Sequence, residues 1–450
     1  MGDPGRALVV GLGISGTAVA RALVERGYEV VGVDDRPSAA VQARRAELAP
    51  LGVDVVTKPD ASALAVLVHD ADLVVPSPGV PPRHPVFTIA RDRHVPVLGE
   101  VELAARWAAK PIVAITGTNG KTTVTGLVTE MLVASGTAAV SAGNIGVPLA
   151  EAAAGPAEVL VVEVSSFQLE LTDEFHPQVA AWLNLAPDHL DWHSDLESYG
   201  RAKARIWARQ EANDTAVVNA DDPDVMRWAA TAPSRVVTFA LGDGNYRVER
   251  GVLRAPDGTE IIDVASLPRS LPHDVANALA AAAAALSAGA RLDGVRAALR
   301  DWEGFPHRVA LVSDAGGVQW YDDSKATNPH AALAALRGFG SVVLIAGGRN
   351  KGLDLSVLAE AADRVRAVVA IGEAAPDVEK AFAGRRPVTV ASSMDDAVRA
   401  AAAFAEPGDA VLLSPGCASF DWYGSYGERG DDFQRAVDQL LEEDAGASRH

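Results

Sequence analysis

The run Pro111–Thr116 followed by Gly117-Thr118-Asn119-Gly120-Lys121-Thr122-Thr123 constrains the fold of this chain more than any other stretch. An apolar strand, a glycine turn and a helix opening at a lysine is the layout of a phosphate-binding loop. The spacing departs from G-x-x-x-x-G-K-[ST], because Gly117 and Gly120 are only three apart. Even so, successive backbone N–H groups can cradle phosphates, Lys121 can reach the β and γ oxygens, and Thr122 can hold Mg²⁺. These seven residues are the expected ATP-binding run.

Strand, glycine turn and helix recur almost throughout, which argues for parallel sheets covered by helices. With 450 residues the chain is long enough for about three domains. The expected class is α/β, with three domains that are each a doubly wound, mostly parallel sheet: a Rossmann-like domain over 1–108, a P-loop ATPase-like domain over 109–304 and a second Rossmann-like domain over 305–450. Residues 246–263, with Gly and Asp-Gly turns, suggest a small antiparallel excursion. A helix is expected over Leu196–Gln210 and another from about His273 to Ala288.

The net charge of −19 repels nucleic-acid phosphates and disfavours a non-specific nucleic-acid binder. It also makes each lysine or arginine in a glycine-rich loop informative. Cys417 is the single cysteine, so no intrachain disulfide is possible, and a reducing cytoplasm is the expected setting. No signal-peptide layout opens the sequence. The longest apolar run, Ala278–Leu286, is far short of the roughly 20 residues that span a bilayer, so no membrane insertion is expected.

Gly11-Leu12-Gly13-Ile14-Ser15-Gly16 matches G-x-G-x-x-G between a strand and a helix, with Asp34 and Asp35 about 20 residues on. Such a turn brings backbone N–H groups up to a pyrophosphate, which a dinucleotide or a UDP-sugar would supply. The loop Asp188–Asp195 holds three aspartates and two histidines, which by composition alone could be a hydrolase metal cluster. Lys203 shares a helical face with Tyr199 and Trp207, where a snorkelling surface lysine is the ordinary reading. Glu163 ends an apolar strand and could take Mg²⁺ together with Thr122.

The run GTNGKTT resembles the shortened P-loop of the Mur ligase family, shared with folylpolyglutamate synthases. The blocks Glu163–Glu170, Asp188-His189-Leu190-Asp191, Pro306-His307-Arg308, Asp323–Asn328 and Ser414–Ser419 resemble the D-glutamate-adding branch of that family. They occur in the right order and span nearly the whole chain. The resemblance implies a monomeric ligase of cell-wall peptidoglycan synthesis that uses ATP and two Mg²⁺ ions. It implies UDP-N-acetylmuramoyl-L-alanine and D-glutamate as substrates, joined through an acyl-phosphate and a tetrahedral intermediate.

Carried over residue by residue, the resemblance assigns Lys121, His189, Lys203, Arg308 and Lys325 to catalysis, with Lys203 carbamylated. Thr122, Glu163, His189 and the modified Lys203 are the implied metal ligands. Asn277, Arg308 and Asp323 are placed on the ATP beside the P-loop. Ile14, Ser15, Asp35, Arg36, Ser77, Gly79 and Asn144 are placed on the UDP-substrate, and Thr327, Lys351, Ser419, Phe420 and Tyr426 on D-glutamate. Two residues depart from the pattern: Arg349 stands where some relatives carry an acid, and Tyr426 where an aromatic without hydroxyl is familiar. The rivals are another ligase of the family, a folylpolyglutamate synthase, a dehydrogenase using the first glycine motif, and a catalytically silent UDP-sugar binder. A dehydrogenase leaves the P-loop and the last third of the chain unexplained. The silent binder has no need of Lys121, Glu163, His189 and Lys203 together.

Overall fold

The structure is a computed structural model describing residues 5–189 and 192–447; Leu190 and Asp191 of the aspartate- and histidine-rich loop lie outside them. Among the described residues the chain forms two compact units. The first comprises residues up to Leu185, Glu197–Ser266 and Asn277–Arg300; the second comprises Ala186–Leu196, Leu267–Ala276 and the chain from Asp301 on.

The first unit carries two sheets. One contains β1 (Arg6–Val10), β2 (Glu29–Asp34), β3 (Asp54–Thr57) and β4 (Leu73–Pro76), in the order β3-β2-β1-β4 and parallel throughout. Leu8, Val10, Val31, Val33 and Val74 pack with Leu64, Val68, Val86 and Ala90 of the covering helices. Each of these valines and leucines contributes about 1.5–3 kcal/mol by leaving water. Because β1 lies between β2 and β4, the direction of winding reverses there. A crevice therefore opens at the carboxyl ends of β1 and β4, where Gly11 and Ser77 follow.

The larger sheet contains β5 (Ile112–Thr116), β6 (Ala139–Gly143), β7 (Val159–Glu163), β8 (Val179–Trp182), β9 (Thr215–Asn219) and β10 (Arg235–Ala240), followed by β11 (Tyr246–Glu249), β12 (Val252–Arg254) and β13 (Glu260–Asp263). Its order is β13-β12-β11-β10-β9-β8-β5-β7-β6, and only the pairs joining β11, β12 and β13 are antiparallel. The antiparallel excursion expected from the Gly and Asp-Gly turns is therefore present as an edge extension. Every residue of β5 and β7 is buried, as strands covered on both faces require. Register pairs Ile115 with Glu163 and Thr116 with Trp182, so both flanking strands end beside the P-loop.

In the second unit β14 (Ala310–Ala315), β15 (Val318–Asp322), β16 (Val342–Gly347), β17 (Val365–Ile371), β18 (Val388–Val390) and β19 (Ala410–Gly416) form one sheet in the order β14-β15-β19-β16-β17-β18. The β14–β15 pair alone is antiparallel. Asp322 faces Leu413 and Gly347 faces Gly416, so the ends of β15, β19 and β16 lie side by side. The runs Asp323–Thr327, Cys417–Ser419 and Gly348–Lys351 leave the sheet there.

The helix expected to reach Gln210 runs only over Leu196–Ala204 and tightens into a 3₁₀ turn, Arg205–Trp207. The alanine-rich helix spans Pro272–Ser287, with Ala278–Ala285 buried. No described helix is long and apolar enough to cross a membrane.

Candidate active site

The P-loop is built by β5 and the helix Lys121–Ala134, capped by Gly120 in the left-handed region at φ +83°. A Cβ at Gly120 would lie 2.5 Å from Oδ1 of Asn277, so glycine is required and Asn277 rests directly on the loop. Asn184, just past β8, clamps the loop from the side. Its Oδ1 accepts the Asn119 N–H at 2.8 Å, its Nδ2 donates to the Asn119 carbonyl at 3.0 Å, and its own carbonyl accepts the Thr118 N–H at 3.1 Å. Lys121 donates from Nζ to the carbonyls of Gly117 and Thr118 at 2.9 and 3.0 Å, which folds its ammonium over the loop. Thr122 and Thr123 occupy the first helical turn, where the helix dipole and open N–H groups favour anions.

Glu163 ends β7 beside this loop and is 2% exposed. Its Oε1 accepts from Asn144 Nδ2 at 2.8 Å, whereas Oε2 is buried and has no hydrogen-bond partner among the described residues. A buried carboxylate oxygen without a donor is costly unless a cation meets it. A hard oxygen donor of this kind suits Mg²⁺. Lys203 is 1% exposed, which removes the surface-lysine reading. Its Nζ donates to the Gly117 carbonyl at 2.9 Å and lies 4.5 Å from the Tyr199 ring centroid. Tyr199 and Trp207 are buried with it.

The crevice at β1 and β4 is a cleft of about 610 Å³, lined by Ile14, Ser15, Asp35, Arg36, Ser77, Gly79 and Asn144 among others. All seven residues assigned to the UDP-substrate therefore meet in one cavity. A Cβ at Gly16 would collide with the Gly11 carbonyl oxygen, so the helix Ile14–Glu25 starts hard against the turn. Asp34 lines the cleft as well, and its carboxylate accepts the N–H groups of Leu12 and Arg36, both at 2.9 Å, which braces the turn. Ser77 Oγ donates to the Gly11 carbonyl at 2.6 Å and ties β4 to the same turn.

The remaining predicted residues belong to the second unit. Asp323 is buried, accepts from Ser414 Oγ at 2.6 Å, and burial pushes its carboxyl up to about 7. The Ser414 hydroxyl and the charges of Arg308 and Arg269 pull it back only in part. Lys325 Nζ sits 3.8 Å over the Tyr426 ring, a cation–π contact that gives the aromatic at 426 a function independent of its hydroxyl. Lys351 Nζ lies 3.8 Å from Asp188 Oδ1, and Asn328 Nδ2 donates to Asp188 Oδ2 at 3.1 Å. His189, at φ +54°, has Nε2 3.7 Å from the same carboxylate. Thr327 is half-buried and Ser419 buried, while Phe420 is exposed. Arg349 pairs in a fork with Glu373, at 2.8 and 3.1 Å, so its charge is already matched. Cys417 is buried, and burial pushes its thiol up to about 12, consistent with a packing residue.

Several functional-looking residues have no signature in the sequence. His84 lines the cleft and caps the helix Pro85–Arg93. Its Nδ1 accepts the Val86 N–H at 3.2 Å, so the ring proton sits on Nε2, which donates to Asp35 Oδ2 at 3.0 Å. The dipeptide His-Pro announces a helix start and nothing of this. Arg429 is 1% exposed and ties Ser324 to the Cys417 carbonyl through three donors at 2.7–3.1 Å. Desolvation lowers its guanidinium to about 10.

Three family models match in sequence order: Mur ligase MurD-like, N-terminal domain over residues 5–99; Mur ligase middle domain over 115–285; and Mur ligase, glutamate ligase domain over 307–417. The chain is 47% identical to the UDP-N-acetylmuramoylalanine--D-glutamate ligase of Frankia casuarinae, covering 96% of this chain and 93% of that one. The enzyme of the same name from Desulfosudis oleivorans is 44% identical, with 98% and 97% covered. Among solved structures, the MurF ligase from Thermotoga maritima in complex with ADP superposes with a TM-score of 0.62 at 17% identity, over 98% of this chain and 96% of that one. The UDP-N-acetylmuramate-alanine ligase MurC of the same organism gives 0.59 at 20%, over 98% and 99%. At these identities the two structures speak for the fold alone.

Proposed function

This chain belongs to the Mur ligase family, and we infer from that premise that it joins D-glutamate to UDP-N-acetylmuramoyl-L-alanine at the expense of ATP, in peptidoglycan precursor synthesis. The observation that carries this reading is the end-to-end likeness to D-glutamate ligases, on a chain whose cleft gathers all seven residues assigned to the UDP-substrate. It is an amide-bond-forming ligase, and the chemical obstacle is the leaving group. A free carboxylate resists an amine because it would have to expel oxide. Phosphorylation of the L-alanyl carboxylate by ATP makes phosphate the leaving group instead, and the amine of D-glutamate then displaces it through a tetrahedral intermediate.

In this proposal the P-loop N–H groups and Lys121 hold the β- and γ-phosphates, with Arg308 adding positive charge during transfer. Glu163 and Thr122 would hold Mg²⁺, which offsets phosphate charge when bound; the orphaned Oε2 of Glu163 supports this assignment. Lys203, carbamylated, and His189 are the proposed ligands of a second ion. Carbamylation turns a cation into a carboxylate, which is the charge a metal beside phosphates needs. Asp323 and Asn277 complete the ATP side. Lys325, Thr327, Lys351 and Ser419, with the Phe420 and Tyr426 segment, receive the acyl-phosphate and the two carboxylates of D-glutamate. The domain limits near 108 and 304 belong to the same proposal.

Phosphate release from ATP, measured with UDP-N-acetylmuramoyl-L-alanine and a panel of amino acids, tests it. D-Glutamate should trigger release, whereas L-glutamate, L-alanine and diaminopimelate should not. Comparable turnover with L-alanine would overturn the assignment in favour of a neighbouring ligase.

A further inference from the structure

One buried carboxylate of the first unit has no part in this chemistry. Glu100 opens the helix Glu100–Trp107 and is 3% exposed. Its Oε1 accepts the Ala150 N–H at 3.0 Å, and its Oε2 is buried without a hydrogen-bond partner among the described residues. Glu102 on the same helix makes the contrast. It is wholly buried, but its two oxygens take the N–H groups of Asp173, Glu174 and Phe175 at 2.7–3.1 Å and Arg106 Nε at 2.6 Å. Glu102 is a satisfied tether, whereas Glu100 keeps one contact at the expense of an orphaned oxygen. Burial accordingly pushes the Glu100 carboxyl up to about 7; the N–H groups of Ala150 and Leu149 offset part of this and Glu151 adds to it.

The retained contact falls at a particular place. Ala150 belongs to the short helix Leu149–Ala154, which the chain enters directly from Gly143–Pro148. Gly143, Asn144, Ile145, Gly146 and Pro148 all line the 610 Å³ cleft. The loop is stiff: the Gly143 N–H donates to the Val147 carbonyl at 3.0 Å, and Gly146 takes φ +65°. At its start the Asn144 N–H donates to the Glu163 carbonyl at 2.9 Å. A shift of Ala150 therefore reaches Pro148, two residues back, and has little slack in which to dissipate before Asn144.

We propose that Glu100 is a positioning residue for the UDP-substrate: its carboxylate holds the Leu149–Ala150 turn and so sets the Gly143–Pro148 loop that forms one wall of the cleft. The proposal rests on reading that cleft as the UDP-substrate site. Glu100 is not among the residues lining the cleft and acts through the loop, so its removal acts on substrate affinity rather than on phosphoryl transfer.

Two measurements on the full chain test this, with Glu100→Ala and the conservative Glu100→Gln beside wild type. In hydrogen exchange on the unliganded protein, the amides of residues 143–150 should exchange at least about tenfold faster in Glu100→Ala, with the P-loop amides unchanged. In steady-state assays the KM for UDP-N-acetylmuramoyl-L-alanine should rise about tenfold, while kcat and the KM for ATP stay within about twofold. Glu100→Gln, which keeps one acceptor oxygen, should fall between. Wild-type exchange at 143–150 together with an unchanged KM in either folded variant would overturn the proposal; if Glu100→Ala does not fold, Glu100→Gln decides it in the same way. Failure of wild type to use the UDP-substrate would instead sink the functional reading, and the exchange result would still decide whether Glu100 holds the loop.

Discussion

Lys203 has 1% of its surface in solvent and points its Nζ at a P-loop carbonyl. If it carries a carbamate in the working enzyme, ¹³C-bicarbonate should give a carbamate resonance that disappears in Lys203→Ala. That variant should lose more than about a hundredfold in turnover, of the order seen when a group stabilising developing charge is removed. Small carboxylates should restore part of it. A metal-loaded crystal showing a bare amine at Lys203 would refute the modification. Asp323 makes a second prediction, through pH. Its folded value of about 7 lies above the ordinary 3.8, so between those limits the folded chain keeps a proton that the unfolded chain has released. The stability this contributes is fully present below about 3.8 and is lost as pH rises through about 7. Glu100 adds a contribution of the same sign between 4.5 and about 7. Denaturation midpoints should therefore fall less steeply across this window in Asp323→Asn than in wild type. Equal slopes would mean that Asp323 is ionised well below neutrality in the folded chain.

At the level of elements, the P-loop is held open by the end of β8 as much as by its own glycines. Asn184→Ala removes both side-chain bonds to the Asn119 backbone. It should raise the KM for ATP and lower kcat about tenfold each, while binding of UDP-N-acetylmuramoyl-L-alanine, followed by calorimetry, stays near wild type. Equal loss of both affinities would show instead a general collapse of the first unit. Elements of this kind were the most legible part of the sequence. β5, the Gly117–Thr123 turn and its helix follow from local pattern, as do β7 ending at Glu163 and the antiparallel β11–β13 excursion. The helix end at Ala204 did not, because the switch to a 3₁₀ turn leaves the apolar spacing of Tyr199, Lys203 and Trp207 unchanged. Asn184, His84, Glu100 and Arg429 were illegible for a different reason. Their partners lie 65, 49, 50 and 105 residues away, at positions set by sheet order, and no short motif encodes sheet order.

Across the whole molecule, an excess of 19 negative charges meets substrates that are all anions, so cations are spent at the carboxyl ends of strands. Lys121 follows β5, Lys325 follows β15 and Lys351 follows β16; the exposed Arg349 next to them is neutralised by Glu373. Such a chain has little to offer nucleic acid. The one thiol has a practical consequence at this scale. Cys417 is sealed inside the apolar cluster with Leu344, Leu358 and Val368, and its thiol stays protonated in ordinary buffers. A colourless aromatic disulfide reagent that turns yellow on reaction should therefore leave the native protein unmarked, then release one equivalent of dye as the second unit opens. The rate of that colour would be a stopwatch for opening, independent of any assay of activity, and a ligand that binds the second unit should slow it in proportion to its occupancy. Immediate reaction of the native protein would mean that the strand end at Gly416 breathes far more freely than its packing suggests.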